Sequence, residues 1–358
     1  MRLVRWDLFC RVIDNLGDAG VCWRLAADLA ARGEAVRLVI DDPQPLARIA
    51  PAGQSGVEVL AWHDDLAPAD GTDVTIEAFG CDPPPRYVAQ MARRDRPPCW
   101  LNLEYLSAEP HAARSHGLPS PQLHGPGQGL VKWFFQPGFT PDTGGLLREP
   151  GLLDARDAFE RDAWLQSMGW PRSRDERVVV LFCYPHPGIG AWLQALSAQP
   201  TLLLVPQGPA QGLVQLCLGS ALRSNALRAV LLDWLPQAQF DRLLWSADLN
   251  IVRGEDSLVR ALWAGAPFIW QLYPQHDGAH RVKLQAFLER WGADGTVAPP
   301  RAAVAAFEWW NAGADAAATV PPWAPLEPWR SAVGGWREQL ARHDDLTSRL
   351  IGFVTGKR

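Results

Sequence analysis

Short apolar runs alternate with stretches of helical periodicity along the chain, and the alternation runs twice. In the first half, Leu3–Val12 reads as a strand. Ala19–Arg32 repeats apolar residues every three to four positions and is rich in Ala and Leu, the pattern of a helix. Ala35–Ile40, Val57–Leu60, Val74–Ile76 and Trp100–Leu103 are further short apolar runs, and a proline cluster opens a helix predicted within Pro83–Arg94. Strands separated by helices and loops predict βαβ units around a parallel sheet.

From about Pro119 to Gly145, Gly and Pro become frequent around Trp133, Phe134, Phe135 and Phe139, which predicts loops about one short buried strand. Asp154–Met168 is expected as one helix and Gly169–Arg174 as a linker. The alternation then restarts. Strands are predicted at Val178–Cys183, Leu202–Val205, Ala229–Leu232, Leu249–Val252 and Phe268–Gln271. Helices interleave at Ile189–Ser197, Gln211–Leu222, Ala238–Ser246, Ser257–Ala264 and near Gly278–Trp291, and Glu327–Gly352 reads as one further helix. The chain of 358 residues is long enough for about two domains. The expected division is an N-terminal Rossmann-like domain at 1–172 and a C-terminal one at 173–337. A tail at 338–358 is expected to pack back onto the first.

Composition narrows the class. Hydrophobic residues are 47% and charged residues 20%, an ordinary globular balance, and 31 Gly with 31 Pro stay below the level of a low-complexity chain. A net charge of −5 argues against a nucleic-acid binder, whose domains are usually basic. None of the six cysteines forms a C-x-x-C pair, and most lie in apolar runs, as buried free thiols in a reducing compartment would. Arg2, Arg5, Asp7 and Arg11 interrupt the first apolar stretch, so no signal peptide is expected. No apolar run approaches the roughly 18 residues of a membrane span. The expected location is the cytoplasm, with no membrane partner. Eighteen tryptophans are expected to fill core and interdomain space.

Four motifs carry candidate chemistry. Asp14-Asn15-Leu16-Gly17-Asp18-Ala19-Gly20 follows the first strand. Gly17 and Gly20 suit a tight turn and a close backbone approach. The first glycine of a dinucleotide fingerprint is missing, which disfavours a nicotinamide-dependent oxidoreductase. Instead, two carboxylates four residues apart stand at the strand edge where open α/β sheets bind ligands. They can orient and deprotonate an acceptor or bind a cation; alternatively, Asp18 caps the helix and Asp14 sits in a turn.

Arg253-Gly254-Glu255-Asp256-Ser257 joins a strand to a helix, where free N–H groups and Arg253 suit a diphosphate. The two acids suit sugar hydroxyls or a loop contact, and an ordinary helix cap explains the motif equally well. Phe182-Cys183-Tyr184 ends a strand and Gln237 and Phe240 open a later helix; these aromatics can stack on a base or fill the core. His276 and His280, with Asp277 between them, have helical metal-ligand spacing, but no third ligand accompanies them and no metal is expected.

Together these segments resemble one family, EarP, the protein-arginine rhamnosyltransferases that modify elongation factor P. The resemblance rests on FCRVIDNLGDAGVCWRLA (9–26), NLEYLSAE (102–109), FFQPGF (134–139), LFCY (181–184), the long run LPQAQFDRLLWSADLNIVRGEDSLVRALWAGAPFIWQLYPQHDGAH (235–280) and KLQAFL (283–288). It implies a GT-B α/β architecture of two facing Rossmann-like domains with a cleft between them. It also implies inverting, metal-independent transfer from TDP-β-L-rhamnose, with TDP as product and no cofactor. The implied acceptor is an arginine at a loop tip of elongation factor P, whose activation relieves polyproline stalling. By position, Asp14 and Asp18 match the family's catalytic aspartates, Asp18 as base or guanidinium orienter. Asn15, Gly17, Phe182, Tyr184, Gln237, Phe240, Arg253, Glu255, Asp256 and Ser257 match donor contacts. The chain departs from the family pattern at Leu16, where an aromatic is expected, at Gln136, at His186 and at Gln207-Gly208-Pro209. Two other readings remain: a GT-B transferase or nucleotide-sugar epimerase with another acceptor, and a non-catalytic nucleotide-sugar binder.

Overall fold

The computed structural model describes residues 3–13, 16–275, 278–293, 295, 297–313, 320–321 and 325–357. The chain forms two compact units, one spanning Met1–Pro150 with Ala341–Arg358 and the other Gly151–Leu340.

Unit 1 runs β1 (Arg5–Cys10), α1 (Gly17–Ala31), β2 (Ala35–Ile40), α2 (Gln44–Ile49), β3 (Val57–Ala61), β4 (Val74–Ala78), α3 (Pro85–Ala92), β5 (Cys99–Leu103), α4 (Pro110–Ser115), β6 (Pro119–Pro121) and β7 (Val131–Phe135). Among the described residues its sheet has the order β3-β2-β1-β4-β5-β7-β6, parallel except for β6. The order reverses direction between β1 and β4, the switch point where open α/β sheets hold ligands. Alternation along β1 decides what each face buries. Trp6, Leu8 and Cys10 join Cys22, Leu25 and Leu29 of α1 in one core, while Phe9 joins Val39, Tyr87 and Met91 in another. Asp7, on the second face, is buried but fully engaged. It accepts hydrogen bonds from Arg37 Nε at 2.7 Å, Tyr87 Oη at 2.6 Å and Thr72 Oγ1 at 3.1 Å.

Unit 2 begins with α5 (Leu152–Asp157) and α6 (Arg161–Ser167). It continues through β8 (Arg177–Leu181), α7 (Ile189–Leu196), β9 (Thr201–Val205), α8 (Pro209–Leu218), β10 (Arg223–Ser224), β11 (Leu227–Leu231), α9 (Gln237–Ser246), β12 (Leu249–Arg253), α10 (Glu255–Ala264), β13 (Phe268–Gln271), α11 (Ala279–Trp291), α12 (Arg301–Asn311) and α13 (Leu326–Ala341). Its sheet order is β10-β11-β9-β8-β12-β13, so its switch point lies between β8 and β12. Most of the described tryptophans here are core, Trp234 being exposed. Trp291 stacks on Phe268 at 5.5 Å and on Trp336 at 5.1 Å, and Trp309 and Trp310 flank His186. Trp323 lies outside the described residues.

Two expectations about elements change. Asp154–Met168 is two short helices, because Phe159 leaves helical register to pack its ring against Trp164 at 5.8 Å and Trp245 at 5.4 Å. Both helices belong to unit 2, held there by Arg161 to Asp248 at 2.8 Å and Trp164 Nε1 to Gln239 at 3.1 Å. Glu327–Gly352 is likewise interrupted. Arg148 donates to the carbonyls of Ala341 and His343, satisfying the end of α13, and Asp345 accepts Ser348 N–H at 2.9 Å as α14 (Leu346–Lys357) begins. Leu346, Leu350 and Val354 of α14 then enter the core of unit 1. No described helix is long and apolar enough to cross a membrane.

Candidate active site

Each unit gathers candidate groups at its own sheet switch point. In unit 1, Asp18 sits in the first turn of α1, where a carboxylate is favoured by the helix dipole. It does not cap the helix. Its Oδ2 accepts the backbone N–H of Ile13 at 2.9 Å, closing the loop that leads from β1. Its Oδ1 lies 3.4 Å from the hydroxyl of Tyr105, a residue that follows β5. The residue is only 3% exposed. Gly17 and Gly20 both lie in the first turn of α1, with Gly20 N–H donating to Leu16 O at 2.9 Å. Asp14 and Asn15 lie outside the described residues.

Beneath Asp18, Cys22 is fully buried, and burial together with Cys10, Cys81 and the Asp18 carboxylate pushes its thiol well up. These thiols are buried and free, packed as small apolar groups.

Tyr105 and Phe79 were not singled out from the sequence. Phe79 follows β4 with φ +59°, a left-handed conformation rare for an aromatic residue, and its ring stacks on Tyr105 at 4.3 Å and 12°. The available signal was position: Phe79 directly follows β4 at the switch point, and Tyr105 lies two residues past the neighbouring β5, in the NLEYLSAE segment.

In unit 2, Phe182 and Tyr184 follow β8 and Arg253 ends β12, the two strands that flank the switch point. The Arg253 guanidinium lies 4.7 Å from the ring centroids of both Phe182 and Tyr184. Such contacts hold a cation in place without neutralising it. Tyr184 N–H donates to Gln271 Oε1 at 2.8 Å, which fixes the peptide after the strand. Phe240, in the first turn of α9, meets Phe182 edge-on at 5.3 Å; Gln237 opens the same helix.

The RGEDS turn has a backbone reason for its glycine. Gly254 adopts φ +70° just before α10, a conformation costly for other residues. Glu255 and Asp256 form the first turn of α10, and Ser257 Oγ donates to the carbonyl of Arg253 rather than capping the helix. The arrangement joins one cation, a helix N-terminus and aromatic faces, which suits a base linked to a diphosphate. Gly208 and Tyr273 also border this cluster. A side chain at Gly208 would meet Arg253 Nη2 at 3.7 Å and Phe182 at 3.8 Å, and Tyr273 meets Tyr184 edge-on at 5.3 Å. Tyr273 was missed because it carries no local motif, and Gly208 was noted only within the departing segment Gln207-Gly208-Pro209.

Two of the residues that depart from the family pattern, Gln136 and His186, have structural uses. Gln136 is buried and donates Nε2 to the carbonyl of Tyr105 at 2.7 Å. His186 accepts Gly188 N–H on Nδ1 at 3.1 Å and donates from Nε2 to Trp309 O at 3.2 Å, so it is held neutral; burial lowers its pKa. His276 and Asp277 lie outside the described residues, and His280 Nδ1 accepts Gln275 N–H at 3.1 Å. Among the described residues no group of three or more His, Cys, Asp or Glu is placed to hold a metal.

Known proteins match this arrangement along almost its full length. The family described as elongation factor P rhamnosyltransferase EarP matches residues 6–355. A protein-arginine rhamnosyltransferase of Pseudomonas aeruginosa is 43% identical, covering 98% of this chain and 99% of its own. One of Pseudomonas putida is 42% identical, covering 97% and 98%. A solved structure described as the basis for EarP-mediated arginine glycosylation of translation elongation factor EF-P is 32% identical, covers 99% of both chains and aligns with a TM-score of 0.67. The α/β class with two Rossmann-like units is therefore that of the GT-B glycosyltransferases. With a family match over residues 6–355 and relatives above 40% identity, the chain belongs to the EarP family of elongation factor P rhamnosyltransferases.

Proposed function

We propose that this enzyme transfers L-rhamnose, with inversion, from TDP-β-L-rhamnose to the guanidinium of a loop-tip arginine of translation elongation factor P. The modification would activate that factor for relief of polyproline stalling, in the cytoplasm. Protein-arginine rhamnosyl transfer is the activity of the family, and membership does not favour an epimerase or a non-catalytic binder.

Unit 2 holds the donor in this reading. Phe182, Tyr184, Gln237 and Phe240 receive the nucleotide base and its sugar. Arg253 and the N-terminus of α10 receive the diphosphate, with Glu255, Asp256 and Ser257 beside the sugars. Unit 1 holds the acceptor, with Asp18 as base and Asp14 holding the acceptor or its partner, while Asn15 and Gly17 match donor contacts of the family.

The chemistry follows from the groups. A guanidinium has a pKa above about 12 and is a poor nucleophile while its charge is spread over three nitrogens. A buried carboxylate localises that charge and accepts a proton. The nitrogen forms a bond to the anomeric carbon as the carbon–oxygen bond to the diphosphate breaks. TDP leaves with the electron pair, and the nitrogen's proton passes to Asp18. The sugar passes through an oxocarbenium-like state, and the charge growing on TDP is met by Arg253 and the helix N-terminus. Attack opposite the leaving group inverts the centre.

The observation that supports this most directly is the buried Asp18 carboxylate, held by Ile13 N–H with its second oxygen turned toward Tyr105. The test is the intact mass of elongation factor P incubated with the enzyme and TDP-rhamnose. A gain of one deoxyhexose, absent when the target arginine is replaced, is expected. Donor binding without a gain would send the search to another acceptor, and the absence of both donor binding and a gain would overturn the reading.

A further inference from the structure

Three strands of unit 1 bring three side chains to one place. Asp18 follows β1, Phe79 follows β4 and Tyr105 follows β5, and these strands are neighbours in the sheet. Phe79 covers one face of the Tyr105 ring at 4.3 Å and 12°. Tyr105 still leaves 37% of its surface accessible. Its hydroxyl points at Asp18 Oδ1 from 3.4 Å.

The pair is built rather than incidental. Phe79 holds its place at φ +59°, a backbone strain that persists only where the surroundings enforce it. Here the Phe79 N–H donates to Leu103 O at 2.7 Å, and Gly80 N–H donates to Asn102 Oδ1 at 3.2 Å. On the other side, the buried Gln136 amide clamps the Tyr105 carbonyl at 2.7 Å. Glu104 N–H donates to Phe135 O at 3.0 Å. Main chain on both sides of the stack is therefore tied to the sheet.

We propose that Tyr105, backed by Phe79, is the platform that receives the acceptor's guanidinium. A guanidinium is planar and weakly hydrated, and it stacks on an aromatic face while its edge N–H groups stay free to donate. Stacked on Tyr105, it presents those edges to the Asp18 carboxylate. An ammonium has no plane to stack, so the platform selects arginine over lysine. Gln136 is a positioning residue, acting through the Tyr105 main chain. The inference rests on the proposed transfer to an arginine of elongation factor P.

The experiment first establishes rhamnose transfer to elongation factor P by the unaltered enzyme, since failure there sinks the function and not the platform alone. It then measures kcat, KM for elongation factor P and TDP affinity for Tyr105→Ala, Tyr105→Phe and Tyr105→Trp. Loss of an aromatic–cation contact predicts a KM raised about ten-fold in Tyr105→Ala, with TDP affinity unchanged. Tyr105→Phe and Tyr105→Trp keep the ring and are expected to hold KM within about two-fold, while kcat falls because the hydroxyl no longer steadies Asp18. Unchanged KM in Tyr105→Ala would overturn the platform. Equal KM defects in the Ala and Phe variants would also overturn it, because the hydroxyl rather than the ring would then carry binding. A Tyr105→Ala protein that does not fold leaves the decision to the Trp variant, whose raised KM would count against the proposal.

Discussion

Asp18 accepts the backbone N–H of Ile13 at 2.9 Å, across the loop that joins β1 to α1. The bond uses one carboxylate oxygen to hold the loop and turns the other toward Tyr105. A helix cap would instead have spent the side chain on N–H groups of its own helix. The same residue thus shapes the loop and offers its second oxygen to chemistry.

Replacement of Asp18 by Asn separates these two jobs. The Asn carbonyl can still accept from Ile13, so the loop is expected to stay folded. The amide cannot take a proton, and transfer should fall by about 100- to 10,000-fold, the usual size of a general-base contribution. TDP affinity, set by unit 2, should be unchanged. Time-resolved intact mass and calorimetry check both; near-normal turnover would refute the assignment of Asp18 as base.

Arg253 is held against Phe182 and Tyr184 at 4.7 Å from each. Arg253→Ala removes a charge-assisted contact to the diphosphate, worth about 1.5–3 kcal/mol, so TDP affinity should weaken by about 10- to 100-fold. Arg253→Lys should recover only part of it, because an ammonium lacks the planar fork and the face that stacks. Calorimetric titration with TDP decides this, and wild-type affinity in Arg253→Ala would exclude the role.

The helices that carry Gln237, Phe240 and the RGEDS turn are tied by a buried ion pair. Arg260 of α10 donates to Asp241 of α9 at 3.0 and 2.6 Å, and the Arg260 side chain is 2% exposed. Arg260→Ala leaves a buried carboxylate without this partner and should destabilise unit 2 by about 3–5 kcal/mol. Replacing both partners with apolar residues of similar size should be far milder. Urea unfolding of the single and double variants tests the difference; equal losses would mean that volume, not charge, sets the effect.

Stability should also fall in mild acid. Burial lowers the pKa of His186 and of His116 from the ordinary 6.5, and each accepts a backbone N–H on Nδ1, from Gly188 and from Gln136. A folded-state pKa below the unfolded one means that the unfolded chain binds more protons as pH drops. The stabilisation is therefore complete above about pH 6.5 and is lost as pH falls through the depressed folded values. Melting temperature should be flat near pH 8 and decline below about pH 6.5. His186→Asn should reduce the slope of that decline, and an unchanged slope would remove His186 as a contributor.

Much of the fold was legible in the order of residues because each strand and helix is dictated locally. The two rounds of βαβ alternation and the RGEDS turn fall where the periodicity and the glycine predict, since Gly254 needs its positive φ whatever surrounds it. The break between α13 and α14 was not legible. It depends on Arg148, some 190 residues earlier in the chain, reaching the carbonyls that end α13. The split between α5 and α6 likewise answers to Trp245, against which Phe159 packs.

The site divides the same way. Asp18, Arg253 and the residues beside them sit next to strands, so local sequence and family resemblance already singled them out. Tyr105 lies 87 residues from Asp18, and Phe79 comes from a third strand. Only the sheet order β1-β4-β5 makes the three neighbours. Strand pairing is a long-range choice governed by which faces can be buried together, and no local pattern encodes it. The chemistry of single turns was set by the sequence itself, whereas the ring behind the carboxylate exists only once the sheet has formed.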